Sequence, residues 1–132
     1  MKIVVLKFGG TSVGSLERIK KIVKIIAAYK KKKLKVIVVS SAMSGMTNDL
    51  IKKSLELSNN FDSAEYDILL SLGEQMSCAL IAGRLIHLGH KARSWMSWQI
   101  PIITDGPHSA ARINKIYKKE IIKYINAGGI PI

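Results

Sequence analysis

The sequence predicts an α/β fold on a mainly parallel sheet, and three observations carry that expectation. Two short apolar runs, Ile3 to Leu6 and Lys35 to Ser40, read as buried strands on either side of a segment with helical spacing. Each run delivers the chain to a loop rich in glycine or serine, as strands of open α/β sheets do at their carboxyl ends, so both loops belong on one side of the sheet. The 132 residues, 48% of them hydrophobic, suffice for one domain with a real core.

The first strand leads into Lys7-Phe8-Gly9-Gly10-Thr11-Ser12-Val13-Gly14. Glycines let the backbone approach an anion closely, N–H groups at a helix start point toward it, and an ammonium adds mobile positive charge. The spacing is neither the G-x-G-x-x-G of a dinucleotide fold nor the G-x-x-x-x-G-K-[ST] of a P-loop, and the lysine precedes the glycines. A strand, a glycine turn and a helix with no ligand is the plain alternative reading. Ser15 is a candidate N-cap, and Leu16, Ile19, Ile22, Val23 and Ile26 repeat at helical spacing down to Lys30-Lys31-Lys32-Lys33, where positive charge suits a helix end.

After the second strand comes the loop Ser40-Ser41-Ala42-Met43-Ser44-Gly45-Met46-Thr47-Asn48, then a helix over Asn48 to Leu57. A turn at 58–61 precedes Asp62, placed with Glu65 as a cap for a helix that reaches about Leu88 and is expected to break at Gly73. Ala92 to Trp98 reads as a third strand and Ile100 to Thr104, interrupted by Pro101, as a short fourth element. Beyond the turn Asp105-Gly106-Pro107, a helix carrying Ile113, Ile116, Tyr117, Ile121 and Tyr124 is expected to end at Gly128-Gly129. Ile130-Pro131-Ile132 reads as the start of another strand, whose open edge calls for a second copy or a complementary chain.

Charge and composition narrow the partners. A balance of 21 Lys+Arg against 9 Asp+Glu suggests nucleic acid, yet 17 of the 21 are lysines, and only Arg18, Arg84, Arg93 and Arg112 offer bidentate contacts. Aromatic residues, at 6%, are too sparse for base stacking, so nucleic acid is not the expected partner. Lysines interrupt the richest apolar run, Ile22 to Tyr29, so no membrane span is expected, and the start reads as a strand rather than a leader. The single cysteine, Cys78, suits the cytoplasm and reads as a small packed residue. His87, His90 and His108 lack metal-ligand spacing, so no metal residue is assigned, and Trp95 and Trp98 read as packing residues.

Lys-Phe-Gly-Gly-Thr-Ser-Val, residues 7–13, resembles the opening of aspartate kinases, within the amino-acid kinase family, and four further segments resemble that pattern in order. They are Ser41 to Asn48, Leu69 to Ser77 with Gly73-Glu74 inside it, Trp98-Gln99 through Ile103-Thr104-Asp105, and Ala111-Arg112-Ile113. The resemblance implies a three-layer αβα sandwich like that of carbamate kinase, incomplete at the C-terminus. Residues 1–132 would be its N-terminal, substrate- and phosphate-binding half, without a regulatory domain. It further implies transfer of the γ-phosphoryl group of ATP, with Mg2+, to the side-chain carboxylate of L-aspartate, giving 4-phospho-L-aspartate for lysine, methionine and threonine synthesis.

On this resemblance Lys7 stabilises charge on the moving phosphoryl group, and Lys7, Phe8, Gly9 and Gly10 form the nucleotide-phosphate run. Ser40 and Thr47 hold the substrate, and Glu74 pairs with its α-amino group. Thr47 read alone could be only an N-cap, and Glu74 only an acid favoured by a helix start. Ser97, where the family usually has glycine, and Ile100-Pro101, where it usually has Ala-Gly, imply a substrate-side loop of different shape. Glutamate or carbamate is the neighbouring substrate choice; a non-catalytic kinase fragment that needs a partner and a basic nucleic-acid module are the other readings.

Overall fold

The computed structural model describes residues 2–132. Strands β1 (Ile3–Phe8) and β2 (Lys35–Ser40) run parallel, Ile3 opposite Lys35 and Phe8 opposite Ser40. Between them α1 (Leu16–Lys31) crosses one face of the sheet, burying Ile19, Ile22, Val23 and Ile26. It starts where expected: the Ser15 hydroxyl accepts the amide of Arg18 at 3.2 Å, and Lys30 and Lys31 occupy the last turn. On β2 the residues facing α1, Val36, Val38 and Ser40, are buried. Helices α2 (Met46–Leu57) and α3 (Ser63–His87) follow, the latter packed against both α1 and α2. Asp62 caps α3 by accepting the amides of Ala64 and Glu65 at 2.9 and 3.1 Å.

The remaining elements are β3 (Ala92–Arg93), β4 (Ile102–Thr104), β5 (Ile113–Ile116), α4 (Lys119–Asn126) and β6 (Ile130–Pro131). β6 pairs in parallel with β3 and lies beside β2, and α4 packs on β2 and β6. The core on the α1–α3 side joins Ile26, Val36, Ile81, Leu85 and Ile130, whereas the buried Ile125 of α4 stands outside it. Helices thus lie on both sides of the strands, α4 over β2 and β6 only, in a three-layer αβα arrangement. Full burial of each such side chain contributes about 1.5–3 kcal/mol.

Several expectations are corrected. α3 runs unbroken through Gly73, which serves close packing rather than a break: a Cβ there would stand 2.7 Å from the Cβ of Ala42. The third strand is Ala92–Arg93 alone, because the chain turns at residues 97–101 and brings Trp98 to 68% exposure. The helix expected from Ile113 begins at Lys119, and Ile113–Ile116 is instead a strand paired antiparallel with β4, Ile102 opposite Ile116. The apolar spacing that suggested one helix spans two elements; the β-branched cross-strand pair decides the first of them. Ile130, Pro131 and Ile132 are buried rather than set on an open edge. Apolar side chains are uncovered on one face of β1 and β2, at Ile3, Val5 and Val39, which are 44%, 58% and 45% exposed. Finally, α3 is long and apolar enough by composition to cross a membrane, contrary to expectation. It carries Glu74 and within this fold buries Gly73, Ser77, Ile81, Ala82 and Leu85.

Candidate functional site

The register of β1 and β2 sets both loops at one sheet edge, and Ala42 is where they meet. The Ser41 amide donates to the Phe8 carbonyl at 3.0 Å, extending the parallel pairing into the second loop. A Cβ on Gly10 would lie 3.2 Å from the Ala42 carbonyl oxygen, and one on Gly14 would lie 3.2 Å from the Cβ of Ser44, so a larger residue at either position would need its neighbour to give way by a few tenths of an ångström. From below, Gly73 meets Ala42, and the neighbouring Glu74 accepts the Ala42 amide on Oε1 at 3.2 Å. The glycine loop, the second loop and the middle of α3 therefore form one junction.

The glycine loop is a series of turns rather than the start of a helix. Ser12 and Val13 donate to the Gly9 carbonyl at 2.9 and 3.3 Å, Gly14 donates to Thr11 at 3.4 Å, and α1 begins only at Leu16. The amides nearest Gly9 and Gly10 are therefore those of the loop rather than of the first turn of α1. The guanidinium of Arg18 donates to the Thr11 carbonyl and ties the loop to α1. Lys7 is exposed on the sheet face opposite Phe8, and Gly9 is exposed with open space around it.

The other predicted residues are placed as follows. Gly45, with φ of +84°, is the N-cap of α2, and Thr47 is half-buried in the first turn; capping does not account for Thr47. Glu74 lies in the middle of α3, so the helix-start reading fails for it. Ser40 points inward: its hydroxyl lies 3.1 Å from the Ser41 carbonyl oxygen and 3.2 Å from Ser77 Oγ, within reach to donate its one proton to either. Ser77 in turn donates to the Ser41 carbonyl at 2.7 Å. Ser40 and Ser77 thus brace the second loop from beneath. Ser77, fully buried, escaped sequence reasoning, although its position four residues from both Gly73 and Ile81 marks the same helix face.

Glu74 also lines a cavity of about 210 Å³ with Ser71 and Cys78 of α3 and with Trp95, Met96 and Trp98 of the segment after β3. Lys7 and Thr47 lie outside its walls. Burial, with Glu74 nearby, pushes the Cys78 thiol up, which keeps it a neutral packing group. Gln99, left open by the sequence, closes the turn by accepting the Met96 amide at 2.9 Å. Asp105 closes the β4–β5 hairpin by accepting the Arg112 amide at 2.7 Å. Among the described residues no three His, Cys, Asp or Glu side chains gather as metal ligands.

Comparison with known proteins gives the family and the fold. The family model "Amino acid kinase family" matches residues 2–132. An aspartokinase of Rickettsia conorii is 46% identical over the whole of this chain, which covers 34% of that protein. An aspartate kinase structure from Synechocystis superposes with a TM-score of 0.84 at 31% identity, over 98% of this chain and 21% of that one. E. coli aspartokinase III, solved with aspartate and ADP, superposes with a TM-score of 0.80 at 19% identity, over 99% of this chain and 40% of that one. The chain spans about a third of the length of the curated relatives it matches.

Proposed function

Because the chain belongs to the amino acid kinase family, we propose that it provides the phosphate- and substrate-binding part of a cytoplasmic aspartate kinase. That enzyme passes the γ-phosphoryl group of ATP to the side-chain carboxylate of L-aspartate, giving 4-phospho-L-aspartate. The observation that carries the proposal is the junction at Ala42, where the glycine loop and Glu74 are seated on the loop that leads to Thr47. The names of the relatives support it, and so does the aspartate and ADP bound by a protein of the same fold. Residues 1–132 would belong to the N-terminal half of the kinase domain. The further length of the relatives, or a second copy, would cover the sheet face at Ile3, Val5 and Val39.

A carboxylate is already an anionic nucleophile and needs no general base. Catalysis is then alignment together with neutralisation of two approaching negative groups. Lys7 supplies the positive charge, and the turn at Phe8, Gly9 and Gly10 takes the phosphates close to the backbone. MgATP enters as a substrate, its magnesium carried on the phosphates. Thr47 holds aspartate by a hydrogen bond, with Ser40 supporting the loop from below, and Glu74 receives the α-ammonium group.

Glu74→Gln tests the reading with little damage to the loop, because the amide oxygen still accepts from Ala42 while the negative charge is lost. Losing a charged hydrogen bond costs about 1.5–3 kcal/mol, so the KM for aspartate is expected to rise about tenfold to a hundredfold. Hydroxylamine trapping of the acyl phosphate, with L-aspartate and MgATP supplied, provides the measurement. An unchanged KM would remove Glu74 from the substrate site.

A further inference from the structure

Asp67, outside every role described so far, gathers the tip of the β4–β5 hairpin. Its Oδ2 meets His108 Nδ1 at 3.0 Å and the Ser109 amide at 3.1 Å, and its Oδ1 accepts that amide at 3.2 Å and the Ser109 hydroxyl at 3.2 Å. The Ser109 amide first, then His108, holds the Asp67 carboxyl below its ordinary 3.8. Ser109 has φ of +59°, a left-handed conformation that is strained for a non-glycine residue and persists where surrounding contacts hold it.

Asp67 also sits on the face of α3 that forms one side of the Glu74 cavity. Ser71 is one turn farther along, Gln75 donates to Ser71 Oγ at 2.9 Å, and Ser71, Glu74 and Gln75 all line that cavity. The opposite wall, Met96 to Trp98, belongs to the turn from which the hairpin springs. That turn is closed by Gln99 on Met96 at 2.9 Å, and the hairpin base by the Tyr117 amide on the Pro101 carbonyl at 3.0 Å. Every residue of β5 is exposed, so the strand brings the hairpin little packing of its own. The hairpin therefore spans α3 from the cavity wall at its base to Asp67 at its tip.

We propose that Asp67 is a positioning residue that pins the hairpin tip to α3 and so fixes the Met96–Trp98 wall over Glu74. The identity of the cavity's occupant rests on the aspartate-kinase reading; the pinning does not. Asp67→Ala, with Asp67→Glu as the conservative variant, is measured in the complete gene product in two ways. Amide exchange over residues 97–100 and 102–116 is expected to quicken about tenfold in Asp67→Ala, with β1 and β2 unchanged. The KM for aspartate is expected to rise about tenfold while kcat and the KM for MgATP hold, since only substrate positioning is lost. Asp67→Glu is expected to recover part of both effects.

Exchange over residues 97–100 that does not respond to Asp67→Ala would overturn the proposal. So would quickened exchange with the KM for aspartate unchanged in an active protein. If the parent protein phosphorylates no aspartate, the aspartate-kinase reading falls; quickened exchange at residues 97–100 would then still support the pinning of the wall.

Discussion

Lys7→Ala is expected to lower acyl-phosphate formation about 10²–10³-fold at saturating substrates, while the KM for aspartate stays within about twofold. The argument is positional. Lys7 is the penultimate residue of β1, its side chain exposed, and only Phe8 separates it from Gly9 and Gly10, whose loop abuts Ala42 and is tied to α1 by Arg18. On the proposed function, substrate and nucleotide would both bring negative charge to this edge, and a cation there would be worth most when the phosphoryl group is between them. The loss should therefore fall on kcat. The turn itself is built from backbone hydrogen bonds, from Ser12 to Gly9 and from Gly14 to Thr11, and these survive truncation of the lysine. Hydroxylamine trapping beside a thermal melt separates the cases: an unchanged kcat in a folded variant would remove Lys7 from the chemistry.

Gly73→Val carries the largest expected structural effect. The added Cβ would stand 2.7 Å from the Cβ of Ala42 and 3.3 Å from the Cγ of Met46, and neither an alanine Cβ nor a helix can yield without moving backbone. Overpacking of this kind costs about 1–3 kcal/mol. It also pushes Ala42 away from Glu74, so the same variant should lose aspartate binding beyond what its stability explains. A melting temperature within about 1 °C of the parent's would show that α3 and the second loop are not in the contact described here.

The first half of the fold was legible because its signals are local. Ser15 and Asp62 cap as their types suggest, and the apolar spacing of Ile19 to Ile26 is the buried face of α1. Gly73 misled because a glycine inside a helix looks the same in sequence whether it breaks the helix or admits a neighbour; Ala42, distant in sequence, decides. Residues 113–124 misled because helical spacing ran across a strand and a helix, and the hairpin that divides them depends on Asp105 meeting Arg112. In the candidate site, the glycine loop and Glu74 were readable from spacing and resemblance. The inward turn of Ser40 toward Ser77 was not, since which way a strand-end hydroxyl points depends on the helix beneath it.

The placement of β6 bears on how the chain folds. β1, α1 and β2 can associate from neighbouring sequence, whereas Ile130 must return to the Lys91 carbonyl and settle beside β2 across a long loop. Until residues 130–132 arrive, the slot they fill stays open as an apolar groove next to Val36 and Val38. A chain ending at Gly129 is expected to keep most of its helical circular dichroism yet bind a hydrophobic dye that the longer chain does not. Absence of dye binding would mean that the slot closes without them. During synthesis, then, the glycine loop can be assembled early, and the sheet beneath it closes only once residues 130–132 have emerged to fill the slot.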